Sequence, residues 1–138
     1  MRITVDTNVL ISATFWHGAS ETIINKVELN EIELILSQDT INEFVRVLDY
    51  REIRDKMSRN HLEMSRTVEK IVSISTIVEP KEKLDIVKDD PSDNKILECA
   101  KEGNVHYILS KDKHLLKLIQ FGEIKIITPE DFLLLTKQ

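Results

Sequence analysis

Short apolar runs of four or five residues alternate along the chain with longer segments whose apolar positions recur every three or four residues. The two periods predict strands and helices in turn. Residues 2–5 are a β-branched run ending at Asp6 and read as a buried strand. Residues 8–14 read as a helix, followed by a connection through Phe15, Trp16, His17 and Gly18. Ser20 is placed to cap a helix that carries Ile23, Ile24, Val27 and Leu29 mostly on one side. Residues 32–36 form the second strand candidate, and Ser37 caps a helix with Ile41, Phe44, Val45 and Leu48 at i, i+3, i+4, i+7 spacing.

Farther along, the charged stretch 50–60 predicts an exposed helix with a break near Asn60, and 61–73 predicts another helix. Residues 74–78 read as a third strand, and 79–90, with Pro80 and Pro91 at its edges, as a loop. Ile96, Leu97 and Ala100 mark a helix that stops at Gly103, a candidate C′ residue. The remainder predicts a strand over 105–109, a helix over 113–119, a strand over 124–127 and a helix over 129–135. Short strands with little period-two pattern, alternating with helices, predict an α/β fold of three layers. In it a central, mostly parallel sheet of about five strands carries helices on both faces.

At 138 residues the chain is expected to be a single domain over 1–138. Its 41% hydrophobic and 31% charged residues favour a folded core over disorder. The lone cysteine, Cys99, excludes an intramolecular disulfide and a cysteine-based metal site. No apolar run approaches the roughly 20 residues of a membrane span, and the opening residues do not resemble a signal peptide, so a cytoplasmic, soluble protein is expected. The three glycines are not spaced as a phosphate-cradling loop, which sets dinucleotide and P-loop functions aside.

Nineteen basic against 24 acidic residues give a net charge of −5. Binding nucleic acid by charge alone would favour a basic chain. Carboxylates gathered around a divalent cation would reverse that argument, because the metal supplies the positive charge. Asp6 follows the first strand directly and Asp112 follows the fourth, so both belong at the carboxyl edge of the sheet, where ligands bind in open parallel sheets. Asp93 precedes Ile96 by three positions and Leu97 by four, which turns its carboxylate toward the protein. Each acid alone has a structural reading, as helix cap or Asx-turn; the three together point to a cation. Asp90 reads as a loop residue, and Glu43, by helical angle, as part of a solvated face. The four histidines show no paired metal spacing, and Cys99 reads as a small core residue. Phe15 and Trp16 could stack on a base or pack. Arg46, Arg51, Arg54, Lys56 and Arg59 are interleaved with Asp49, Glu52 and Asp55 and read as a solvated face.

Val5-Asp6-Thr7-Asn8-Val9-Leu10-Ile11-Ser12-Ala13 resembles the opening motif of PIN-domain nucleases. The segments Thr40 to Leu48, Asp90 to Ala100 and Tyr107 to Leu116 resemble the second, third and fourth motifs of that family, in order. The resemblance places the acidic cluster on Asp6, Glu43, Asp93 and Asp112, with Asp6, Asp93 and Asp112 toward the metal. Asn8 and Ser12 match supporting polar positions. Ser110 stands where the family usually has Thr, and His114 where close relatives often carry Asp.

What the resemblance implies is hydrolysis of single-stranded RNA by an endoribonuclease dependent on Mg²⁺ or Mn²⁺. The compact chain resembles the VapC-like toxin branch, which implies a small antitoxin partner and a homodimer, with no membrane association. A housekeeping RNA-processing nuclease and a silent scaffold of the same fold are the rival readings.

Overall fold

The computed structural model describes residues 1–137. The chain order is β1 (Arg2–Val5), α1 (Thr7–Phe15), α2 (Ala19–Glu28), β2 (Glu33–Ser37), α3 (Gln38–Leu48), α4 (Arg51–Arg59), α5 (Met64–Ser73) and β3 (Ser75–Val78). It continues with α6 (Asp93–Glu102), β4 (Tyr107–Leu109), α7 (Lys113–Leu116), β5 (Gln120–Phe121), β6 (Ile124–Ile127) and α8 (Pro129–Thr136).

The sheet order is β3-β2-β1-β4-β6-β5. The first five strands in that order run parallel, and β5 joins β6 antiparallel at the edge. The sheet therefore has six strands where the sequence pattern predicts about five. Two residues are too few to leave a period, which is why β5 escapes the pattern. Gly122, at φ +62°, supplies the left-handed residue of the two-residue turn that joins β5 to β6. The same reversal shortens the helix expected over 113–119, which ends at Leu116, and puts Ile119 at φ +66°.

Strand side chains alternate between two cores. Ile3, Val5, Leu34, Leu36 and Leu109 pack with Val9, Leu10, Ile23, Phe44 and Phe132 on one face. Ile35, Ile108 and Ile126 pack with Ile96, Leu97, Cys99 and Leu115 on the other. The three layers follow, with both faces of the sheet covered as a parallel sheet requires.

Local signals decide most helix ends. The Ser37 side chain accepts from the Thr40 amide and Thr40 answers to the Ser37 amide, a reciprocal cap for α3. By contrast α2 starts at Ala19 with Gly18 at its cap, and Ser20, expected as the cap, lies buried inside the first turn. The C-terminus of α6 also differs from expectation. Gly103 is the last helical-like residue at φ −82°, and Asn104 at φ +50° takes the left-handed C′ position. Asn104 N–H donates to Lys101 O at 3.2 Å and Val105 N–H to Ala100 O at 3.2 Å, closing a Schellman motif. Gly103 is required for another reason: a Cβ there would lie 2.5 Å from Ile35 Cγ2.

Candidate functional site

The chain leaves β1 toward β2 on one side, and β4 enters on the other, so the direction of winding changes at β1. In open α/β sheets the carboxyl edge at such a switch is where ligands bind. Asp6 stands there, at the end of β1 and the start of α1. Its Oδ1 accepts from the Val9 amide at 3.0 Å, capping the helix. Its Oδ2 accepts from the Ser110 hydroxyl and from the Lys111 amide at 3.3 Å, across to β4. Burial raises the Asp6 pKa, and those three donors pull against that rise.

Asp93 opens α6 and is buried, at 4% exposure. Among the described residues no hydrogen-bond partner reaches its Oδ2. Burial, with the charges of Asp112 and Asp90, pushes its carboxyl up to about 8. Carboxylate oxygens of Asp90, Asp93 and Asp112 all lie within 4.8 Å of one another. Such a group keeps a proton or takes up a cation, since three ionised carboxylates at that spacing repel one another. Asp90 is held by an Asx-type turn in which its Oδ1 accepts from Ser92 N–H at 3.1 Å and the Ser92 hydroxyl at 2.6 Å. Asp112 caps α7, accepting from the His114 amide at 2.7 Å.

These acids line a cleft of about 200 Å³, together with Glu43, Asp39 and Lys95. Six carboxylates against one ammonium is a cation-attracting donor set of hard oxygen. Glu43 stands at the rim on α3 and pairs with Arg46 one turn on. Lys95 reaches Glu98 at 3.5 Å and Asp39 at 3.9 Å.

Asp6, Glu43, Asp93 and Asp112, the acids singled out in the sequence, thus line one cleft, and Asn8 lines it with them. Ser110 is buried and holds Asp6, while Ser12 accepts from Lys111 Nζ at 3.2 Å beside the cleft. The oxygens that converge most closely are those of Asp90, Asp93 and Asp112. Asp90 lies in a loop, as the sequence predicts, yet its carboxylate joins the cluster. No periodic signal marks it, because it lies two residues before the cap of α6, outside any helix or strand.

Of the remaining candidates, Cys99 is buried in the core as expected. Trp16 is half exposed, edge-to-face with Phe15, and the Lys56 ammonium sits 3.6 Å from its ring centroid. Among the basic residues of the middle helices, Arg54 approaches Asp49 at 3.7 Å, in keeping with a solvated face. Among the described residues, no helix is long and apolar enough to cross a membrane.

Residues 2–114 match the family model for the PIN domain. No curated protein matches the chain.

Proposed function

The chain belongs to the PIN-domain family, whose members are generally metal-dependent nucleases, and from that premise we propose that residues 1–138 form one PIN domain that cuts single-stranded RNA internally with Mg²⁺ or Mn²⁺. The observation that supports this reading best is the Asp93 carboxylate, buried with no partner for Oδ2 among the described residues and facing Asp90 and Asp112. A cation satisfies that oxygen and neutralises its neighbours at once.

Asp6, Asp93 and Asp112 are the acids that the family resemblance turns toward the ion, and Asp90 joins them on geometry. When bound, the ion supplies Lewis-acid stabilisation of charge on the scissile phosphate and lowers the pKa of a water for in-line attack. The protein's own part is to hold its acids ionised and in place. Ser110 and the Lys111 amide donate to Asp6, and the His114 amide donates to Asp112. Glu43, released from Arg46, orients the attacking water from the rim. Lys95, the cation of the cleft, meets the phosphate oxygens. Asn8 and Ser12 support the edge on which Asp6 stands.

We further propose that the chain acts in the cytoplasm as the toxin of a toxin–antitoxin pair, bound by a small antitoxin protein and paired with a second copy of itself. The family and the compact size of the chain support this.

The test is cleavage of a labelled single-stranded RNA by purified protein with Mn²⁺, with Mg²⁺ and with chelator, beside Asp93→Asn. Metal-dependent cutting that vanishes in the variant is expected; equal cutting by both proteins would sink the assignment. For the toxin role, induced expression is expected to arrest growth with the wild-type chain and not with Asp93→Asn. Unimpaired growth with both would reject it.

A further inference from the structure

Between β3 and α6 the chain runs over residues 79–92 without helix or strand. Three side chains of α6 nevertheless hold it turn by turn. Asn94 Oδ1 accepts from the amides of Ile86 and Val87, each at 2.9 Å, and its Nδ2 donates to Val87 O at 2.9 Å. One turn on, Glu98 Oε2 accepts from the Leu84 amide at 2.9 Å. One turn farther, Glu102 Oε1 accepts from the Lys81 amide at 3.0 Å. Positions i, i+4 and i+8 share a helix face, so the three acceptors form a row. The segment runs antiparallel to the helix along that row and is bonded at every turn, three times at Asn94 and once each at Glu98 and Glu102.

Asn94 and Glu98 are buried, at 4% and 5% exposure. A buried amide and a buried carboxylate cost free energy unless their bonds are made, and here those bonds go to the main chain of one segment. Val87, seated in the core by this row, lies three residues before Asp90. The row thus fixes the chain on the near side of Asp90, and the turn to Ser92 fixes it on the far side.

We propose that Asn94 and Glu98 are positioning residues that deliver Asp90 to the carboxylate cluster, an assignment that rests on the metal-centre reading above. Neither belongs to the carboxylate cluster that would hold the ion. They act through the backbone of 84–87.

The test uses the intact chain and Mn²⁺ alone, titrated by calorimetry. Asn94→Ala is expected to weaken Mn²⁺ binding about 10-fold or more, the scale for losing a residue that orients a metal ligand. The double variant Asp90→Asn/Asn94→Ala is expected to bind no more weakly than Asp90→Asn, because the Asp90 contribution can be lost only once. Fully additive losses, or wild-type affinity in Asn94→Ala, would overturn the proposal. Glu98→Gln keeps an acceptor for Leu84 and is expected to retain affinity that Glu98→Ala loses. This pair decides the matter should Asn94→Ala fail to fold.

Amide exchange of Leu84, Ile86 and Val87, read without metal, supplies an independent measure. It is expected to quicken in Asn94→Ala, and unchanged protection would overturn the row whatever the metal does. Wild-type Mn²⁺ affinity in both Asp90→Asn and Asp93→Asn would instead remove the metal reading and the positioning role with it. The exchange result would still stand, so the two failures are distinguishable.

Discussion

Asp6 and Ser110, 104 positions apart in the chain, meet at the carboxyl edge of adjacent strands, where the buried Ser110 hydroxyl donates to Asp6 Oδ2. The same hydroxyl oxygen accepts from the Asp112 amide at 2.9 Å, so one side chain ties two of the acids together. Ser110→Ala leaves both groups short of a partner and is expected to lower stability by about 1–3 kcal/mol. Ser110→Thr restores the hydroxyl and is expected to recover most of that loss. Urea unfolding of the three proteins at pH 7 checks this, and a Ser110→Ala midpoint equal to wild type would refute it.

The raised carboxyl of Asp93 makes a claim about pH. Its ordinary value is 3.8, and burial beside Asp112 and Asp90 pushes it up to about 8 in the folded chain. Between those values the unfolded chain has released the proton and the folded chain still holds it. At this group the folded state therefore binds more protons, and its contribution to stability falls as pH rises through that window. Asp6, also raised by burial, acts in the same direction. From about pH 4 to about pH 8 the metal-free wild type is expected to lose melting temperature relative to Asp93→Asn, and Mn²⁺ to restore stability at pH 8. An identical pH dependence of melting in metal-free wild type and Asp93→Asn would contradict the assignment.

Glu43 belongs to the rim, and its pairing with Arg46 is partly solvated, so it contributes little to stability. Glu43→Gln is expected to melt within a degree or two of wild type and to keep its Mn²⁺ affinity. RNA cleavage should fall about 100-fold or more, the scale for losing a positioned base or water-orienting group. Wild-type cleavage rates in this variant would remove Glu43 from the reaction.

Gly103 faces Ile35 so closely that an added methyl would lie 2.5 Å from Ile35 Cγ2. Gly103→Ala is expected to destabilise by about 1–3 kcal/mol, as overpacking in a dense core does. Mn²⁺ affinity below the melting transition should be unaltered, since the contact lies away from the cleft. Thermal unfolding and a metal titration on one preparation read both outcomes, and a neutral substitution would mean that Ile35 moves aside freely.

Ile119, 71% exposed at φ +66°, is a β-branched residue in the left-handed region, a conformation it adopts at a cost. Ile119→Asn gives up little packing and is expected to raise stability by about 1 kcal/mol. An unchanged or lowered urea midpoint would argue that the Ile119 side chain holds the β5–β6 turn.

Much of the architecture was legible because strands and helices here keep clean periods, and Asp6 and Asp112 were legible because they close strands. Asp93 could be found from the apolar stripe that it continues. Glu43 could not, since helical angle alone puts it on a solvated face and only the motif around it marks it. Asp90 stayed hidden for a different reason: its place depends on a segment without regular structure, held by Asn94 and Glu98 through contacts that no local period encodes. The cap of α2 and the C′ residue of α6 differ from expectation for a similar cause, although α6 does stop at Gly103. Ser20 and Gly103 carry the residue types that caps favour, yet tertiary packing assigns those duties to Gly18 and Asn104.

The placement of β1 between β2 and β4 also bears on how the molecule is made. Synthesis proceeds from the N-terminus at about 5–20 residues per second, so roughly 5–20 s pass between the emergence of Asp6 and that of Ser110. During that interval β2 can already cover one flank of β1. The opposite flank, which later pairs Ile3 with Tyr107 and Val5 with Leu109, stays open. The nascent sheet thus has a bare inner edge of apolar residues, the kind of surface that invites pairing with other chains or capture by a chaperone. It also lacks Asp112 over the same interval, so a partly made chain is adhesive before its carboxylate cluster is complete.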